Sequence, residues 1–277
     1  MSNRTSAPRR WMRWAGVLTV VVLGMCIAAG SASATWWKLP AKPTWYWQLN
    51  GTVKNTINAE IFDIDGFENS AEEVTKLHEL KRHVVCYIDA GGAENYRPDY
   101  SKFEKLEKEK VEIMGSAIEG WPKERWINIA LLSDVEPIMK ARFEKCHEKG
   151  FDAVEPDEIE AWSNKTGLKK AITKAQQFAY DKWIAETVHG LGMAVLQKND
   201  GEQTTEQDSY FDGALTEECN VYEECSDFTP YLEAGKPVLN AEYAAKKSEF
   251  CSKDEKAGIM GARFDLELKG EIYEPCW

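Results

Sequence analysis

The feature that most limits what this chain can fold into is a regular alternation of short apolar segments with longer amphipathic ones. Candidate strands lie at 45–49, 60–65, 84–89, 126–130, 152–157, 193–199, 213–218, 237–243 and 261–266. Helical stretches fill most of the gaps. Residues 71–80 put Val74, Leu77 and Leu80 on one face, 135–149 run from Asp134 as N-cap to Gly150, and 168–189 end at Gly190. Alternation of this kind implies a parallel sheet with helices packed on it. A doubly wound sheet normally carries a glycine-rich phosphate turn, and no GxGxxG or GxxxxGK follows any candidate strand. The expected fold is therefore α/β, a (β/α)₈ barrel of TIM type in a single domain. Nine candidates exceed eight, so one strand is extra. Segments 45–49 and 60–65 are the suspects, because only about ten residues separate them, too few for a packed crossover helix.

Residues 1–34 stand apart. They hold four arginines and no acid, an apolar run at 14–29, and the small-residue ending Ala32-Ser33-Ala34. This is the pattern of a signal peptide, and the run is shorter than a spanning helix prefers. The expectation is export, with an uncleaved membrane tether through 14–29 as the alternative. Residues 35–277 are then the working domain, long enough to bury a sizeable core. They carry six cysteines, 86, 146, 219, 225, 251 and 276. An even number in an exported chain implies disulfides. Proximity pairs only Cys219 with Cys225, and the other four stay open. No CxxC or HxxxH spacing occurs, and the four histidines are scattered, so neither a metal nor another cofactor is expected.

The whole chain carries a net charge of −12, and loss of the four leader arginines leaves −16. Such a surface repels nucleic acid and anionic membranes and attracts cationic ligands. A monomer is expected.

The chemistry-bearing residues collect where the strands end. The ends read Trp47-Gln48, Asp63-Ile64-Asp65, Tyr87-Ile88-Asp89, Glu155-Pro156-Asp157, Gln197-Lys198-Asn199, Glu217-Glu218 and Glu242-Tyr243. In a parallel barrel these ends form the active face. Alternation puts Ala153, Glu155 and Asp157 on one face, pairs Asp63 with Asp65 and Tyr87 with Asp89, and pairs Asn240 with Glu242. All are expected to point inward. Alternation does not decide between Glu217 and Glu218. Acyl transfer needs a Ser–His or Cys–His pair, which the strand ends lack. Cleavage of a glycosidic bond needs only two carboxyl groups, and crowded acids can keep one protonated. Tryptophans and tyrosines at the mouth would serve as platforms for sugar rings.

At these same segments the chain resembles the GH114 endo-α-1,4-polygalactosaminidases. The matching stretches are Trp47-Gln48-Leu49-Asn50-Gly51, Phe62-Asp63-Ile64-Asp65, Cys86-Tyr87-Ile88-Asp89-Ala90-Gly91, Gly120-Trp121-Pro122 through Trp126, Ala153-Val154-Glu155-Pro156-Asp157, Lys198-Asn199-Asp200, and Glu217-Glu218-Cys219 with Glu224-Cys225. The resemblance implies a barrel that cuts α-1,4 linkages inside galactosamine-rich polysaccharide. It implies Asp157 as nucleophile and Glu217 as general acid/base, and so chooses between the two glutamates. Trp47, Asp63, Asp65, Tyr87, Asp89, Glu155, Lys198, Asn199 and Glu242 are the expected substrate contacts. Glu158 stands where the family usually has Asn, Ile88 and Asp89 where it has an aromatic residue and Ser, and Asn128 where it has Asp. An extra Glu and Asp at the mouth would favour a cationic, deacetylated polymer. The competing readings are a barrel that binds polysaccharide without cutting it, and a two-domain solute-binding protein. The latter would need a hinge and two similar halves, and the sequence has neither.

Overall fold

A computed structural model describes Met1, residues 35–110 and residues 112–277. The expected leader, with its apolar run at 14–29, lies outside the described residues from position 2 on. The described residues form twelve strands: β1 (Trp45–Gln48), β2 (Ile61–Asp65), β3 (His83–Asp89), β4 (Gly92–Glu94), β5 (Met114–Ile118), β6 (Trp121–Ile127), β7 (Ala153–Asp157), β8 (Ala194–Lys198), β9 (Gly213–Glu217), β10 (Val238–Glu242), β11 (Met260–Phe264) and β12 (Tyr273–Pro275). The main sheet runs β1-β2-β3-β7-β8-β9-β10-β11-β12. Its first eight strands pair in parallel, and β12 adds antiparallel to β11. These eight form the (β/α)₈ barrel. Side-chain and loop contacts join its ends: the Trp45 indole donates to the Met260 carbonyl at 2.8 Å, and the Leu49 and Asn50 amides donate to Leu268.

The identity of the extra strand is corrected. Segments 45–49 and 60–65 both belong to the barrel, as β1 and β2, joined without a helix. The surplus segment is 126–130. Its first part ends β6, which pairs antiparallel with β4 and β5 in a separate three-stranded sheet inserted after β3. β5 and β6 meet at the tight turn that antiparallel pairing allows, while the helix Tyr100–Glu109 separates β4 from β5.

Local chemistry explains the outer layer. Ser70 accepts the Glu73 N–H to start the helix Ala71–Glu79, which buries Val74 and Leu77. The next long helix begins at Leu132 rather than near Asp134, which lies in its first turn. It ends where Gly150 turns left-handed at φ 86°. The helix Lys174–Gly190 begins later than the pattern implied, at a reciprocal Thr173–Gln176 capping box. Inside the barrel Trp45, Trp47 and Phe264 are buried, with Trp45 and Phe264 centroids 5.0 Å apart. Truncating such a tryptophan to alanine costs about 3–5 kcal/mol. Disulfides Cys86–Cys146, Cys219–Cys225 and Cys251–Cys276 tie β3 to helix Leu132–Lys149, close the loop after β9, and pin the C-terminus to helix Lys247–Ala257. The described residues from 35 to 277 pack as one unit. Among the described residues no helix is long and apolar enough to cross a membrane.

Candidate active site

The C-terminal ends of the barrel strands open into a cleft of about 990 Å³. Strand register decides what reaches it. Asp157 pairs with Asp89, Glu155 with Tyr87, and Asp65 with Tyr87 across neighbouring strands, so these side chains share the inner face. Pro156 has no N–H to give, and the β7–β8 ladder stops before it, at Val154–Val195.

Three strands in a row end in strained backbone. Glu158 has φ 60°, Asn199 and Asp200 have φ 47° and 51°, and Glu218 has φ 52°. Left-handed conformations cost a non-glycine residue on the order of 1–3 kcal/mol and concentrate at functional sites. Here each follows a side chain aimed at the cleft: Asp157, Lys198 and Glu217. The close approach of Gly91 to this turn requires glycine, because a Cβ there would lie 1.8 Å from the Glu158 carbonyl oxygen.

At the centre stands Lys198, 2% exposed. Its Nζ lies 2.6 Å from Asp157 Oδ1, 3.1 Å from Glu217 Oε2 and 3.3 Å from Glu155 Oε1, and 5.1 Å from the Trp47 ring centroid. Burial opposes the charge on Lys198, but Asp157, Glu217 and Glu155 hold its pKa well above the usual lysine range. Asp157 also accepts from the Tyr87 hydroxyl at 2.8 Å and from the Glu158 N–H at 2.9 Å. Glu217 accepts from Asn199 Nδ2 at 3.0 Å and from the Tyr243 hydroxyl. Asn199 is fixed in turn by the Glu217 N–H, which donates to its Oδ1 at 2.9 Å. Burial and the neighbouring carboxylates raise the pKa of both tyrosines, so both stay neutral donors.

The expected site residues separate into groups. Trp47, Asp65, Tyr87, Asp157, Lys198 and Glu217 line the cleft. Of the two glutamates that alternation left open, Glu217 lines the cleft and Glu218 does not. Asp63, Asp89, Glu155 and Asn199 lie behind the lining, the first three buried. Asp65 lines the cleft but is already held, by Arg97 and by the Phe67 and Glu68 amides. Glu242 is a correction. Ala241, not Glu242, pairs with Glu217, so Asn240 and Glu242 face the helix layer, where Asn240 bonds both Glu242 and Asp254. The residue that reaches the cleft from β10 is Tyr243. Small Ala241 marked the inward phase of this strand, just as Ala153 did in β7. Of the two acids expected to enrich the mouth, only Glu158 lies there. Among the described residues its carboxylate accepts no hydrogen bond. The rim adds exposed Tyr96 and Trp121, while Trp162 packs away and donates to Asp200 at 2.9 Å.

The one cysteine-containing cluster among the described residues, Cys219, Cys225 and Asp254, has both sulfurs bonded to each other.

A (β/α)₈ barrel with two carboxylates facing each other across its mouth has the architecture of a glycoside hydrolase. The chain belongs to glycoside-hydrolase family GH114, whose sequence profile matches residues 27–276. It is similar to Aspergillus fumigatus Ega3, solved in complex with galactosamine, at 27% identity and a TM-score of 0.79. The match covers 89% of this chain and 100% of that one. The glycoside hydrolase domain of Pseudomonas aeruginosa PelA shares the fold at 10% identity and a TM-score of 0.61, over 83% and 96% of the two chains. A Paenibacillus cycloisomaltooligosaccharide glucanotransferase shares it at 12% identity and 0.53, over 73% and 38%. No curated protein matches the sequence significantly.

Proposed function

We propose that the protein is a secreted hydrolase that cuts internal α-1,4 linkages of galactosamine-rich polysaccharide, with Asp157 as nucleophile and Glu217 as general acid/base. The observation that carries this reading is the Lys198 bridge. Contacts of 2.6 and 3.1 Å from one nitrogen keep the bridged oxygens within about 6 Å of each other. That spacing suits a double displacement, which needs carboxyl groups about 5–5.5 Å apart, better than single displacement at about 6.5–9.5 Å. In the first step, from the form of the enzyme in which Glu217 has taken up a proton, an Asp157 oxygen bonds the anomeric carbon while the glycosidic C–O bond breaks and that proton passes to the leaving oxygen. In the second, Glu217 takes a proton from water, whose oxygen displaces the Asp157 carboxylate. Tyr87 and the Glu158 N–H steady Asp157 through both steps, and Tyr243 and Asn199 orient Glu217.

The substrate class draws on the galactosamine complex of the similar Aspergillus protein and on charge. Glu68, Glu73, Glu158 and Glu267 line the cleft in a domain expected to carry −16, which favours a polycation. The three disulfides suit an exported protein. The test is incubation with soluble polygalactosamine and with its N-acetylated counterpart, counting new reducing ends. The expected result is internal cutting, faster on the deacetylated chain. Binding without new reducing ends would replace this reading with a non-catalytic one.

A further inference from the structure

Below the catalytic pair lie two carboxyl groups with no donor to satisfy them. Asp63 on β2 and Glu155 on β7 are 1% and 0% exposed. Among the described residues none of their four oxygens accepts a hydrogen bond, the one cation in reach being the Lys198 ammonium 3.3 Å from Glu155 Oε1, and the two groups lie against each other. Two bare carboxylates in contact in a dry interior are not sustainable, so a proton of their own must join them.

We infer that Asp63 and Glu155 share one proton beneath the active site, and that this shared proton keeps the Lys198 ammonium up against Asp157 and Glu217, making both acids positioning residues. The inference rests on the roles proposed for Asp157 and Glu217. Lys198 touches three carboxylates, and two of them have other donors: Tyr87 and the Glu158 N–H for Asp157, Tyr243 and Asn199 for Glu217. Glu155 has only Lys198, at 3.3 Å. Left fully charged it would draw the ammonium down and leave Asp157 and Glu217 to repel each other. The Asp63 O–H meets that demand instead. The charged or titratable groups facing the pair are Tyr87 on β3, level with Glu155, Asp157 on β7, Lys198 on β8 and Glu217 on β9, while β1 contributes Trp47 and β3 also the apolar Val85. Burial, reinforced by Glu155, holds the Asp63 carboxyl well above its usual range, and burial lifts Glu155 to about 7.

The test compares the parent with Asp63→Asn, Asp63→Ala and Glu155→Gln in two measurements. The infrared difference between the folded parent and Asp63→Asn at neutral pH should contain the carbonyl stretch of one buried protonated carboxyl that the parent has and the variant lacks. Asparagine supplies a donor that cannot ionise. It should therefore keep most of kcat and move the alkaline limb of the kcat profile upward by about one pH unit or more. Asp63→Ala should lose about 100-fold in kcat, the scale of a misplaced catalytic group, with KM little changed. A difference spectrum without that band would overturn the shared proton, whether or not the protein cleaves polygalactosamine. An Asp63→Asn profile that superimposes on the parent's would overturn the positioning role, and both results stand even if the alanine variant fails to fold.

Discussion

Two buried ionic centres lie on the active side of the barrel, built from similar parts in different proportions. In one, the guanidiniums of Arg97 and Arg142 meet Asp65, Glu94 and Asp99. Arg97 Nε donates to Glu94 at 2.7 Å, and Arg142 forks onto Asp99 at 2.9 and 3.0 Å and reaches the Asp89 carbonyl at 2.6 Å. Every carboxylate oxygen of these three acids accepts a hydrogen bond. In the other, the single ammonium of Lys198 faces Asp157, Glu217 and Glu155, with Asp63 beyond, and four oxygens are left without donors. Two planar, five-donor cations satisfy their acids and lock a scaffold. One lysine among four acids leaves a surplus of negative charge, which a sugar carbon gaining positive character can use. Structural and reactive centres differ here in stoichiometry and donor geometry rather than in residue type.

Substitutions can break this contrast from either side. Asp157→Asn and Glu217→Gln should have the largest effect, lowering kcat by about 10²–10⁴-fold while melting close to the parent. A variant that stays fully active would remove that residue from the mechanism. Arg142→Met should do the reverse, costing about 3–5 kcal/mol of stability because it strands buried acids. Denaturant titration checks this, and a loss below about 1 kcal/mol would mean that the scaffold centre contributes little.

The surplus of acid also predicts a pH dependence of stability. Burial lifts Glu155, Glu124 and Glu160 to about 7 and Asp200 to about 6. Unfolded carboxyls ionise near about 4. Between about pH 5 and pH 8 the folded protein therefore holds more protons than the unfolded chain, so stability falls as pH rises. Thermal melts should drop by several degrees across that window, and a rise would contradict the protonated interior. The smallest effect is electrostatic steering. Between about 50 and 500 mM salt, kcat/KM on cationic polymer should fall a few-fold as charges are screened. An unchanged rate would confine recognition to short-range contacts.

Much of this was legible from strand ends. Alternation aimed Asp157 correctly because Ala153 and Glu155 mark an inner face, and the same logic held for Asp63, Asp65, Tyr87 and Asp89. It failed at Glu242, where the polar residues Asn240 and Glu242 face a buried aspartate, Asp254, on the helix layer. Polarity was read as a mark of the mouth when a dry polar contact behind the sheet was the cause. The β4–β6 sheet escaped because β4 is only three residues long and β5 and β6 meet at a tight turn with no helix-length gap between them. Arg97 and Arg142 sit in a turn and on a helix, and no strand-end pattern points to them. Left-handed backbone after β7, β8 and β9 carries no glycine signature, since Glu158, Asn199, Asp200 and Glu218 accept it under strain.

The central claim is that Lys198 holds Asp157 and Glu217 at the separation of a double displacement. Following the first-formed reducing end by proton NMR during cleavage of polygalactosamine tests it directly. The account predicts that the α-anomer appears first and then mutarotates. Initial appearance of the β-anomer would mean a single displacement by water and would contradict the role given to Asp157.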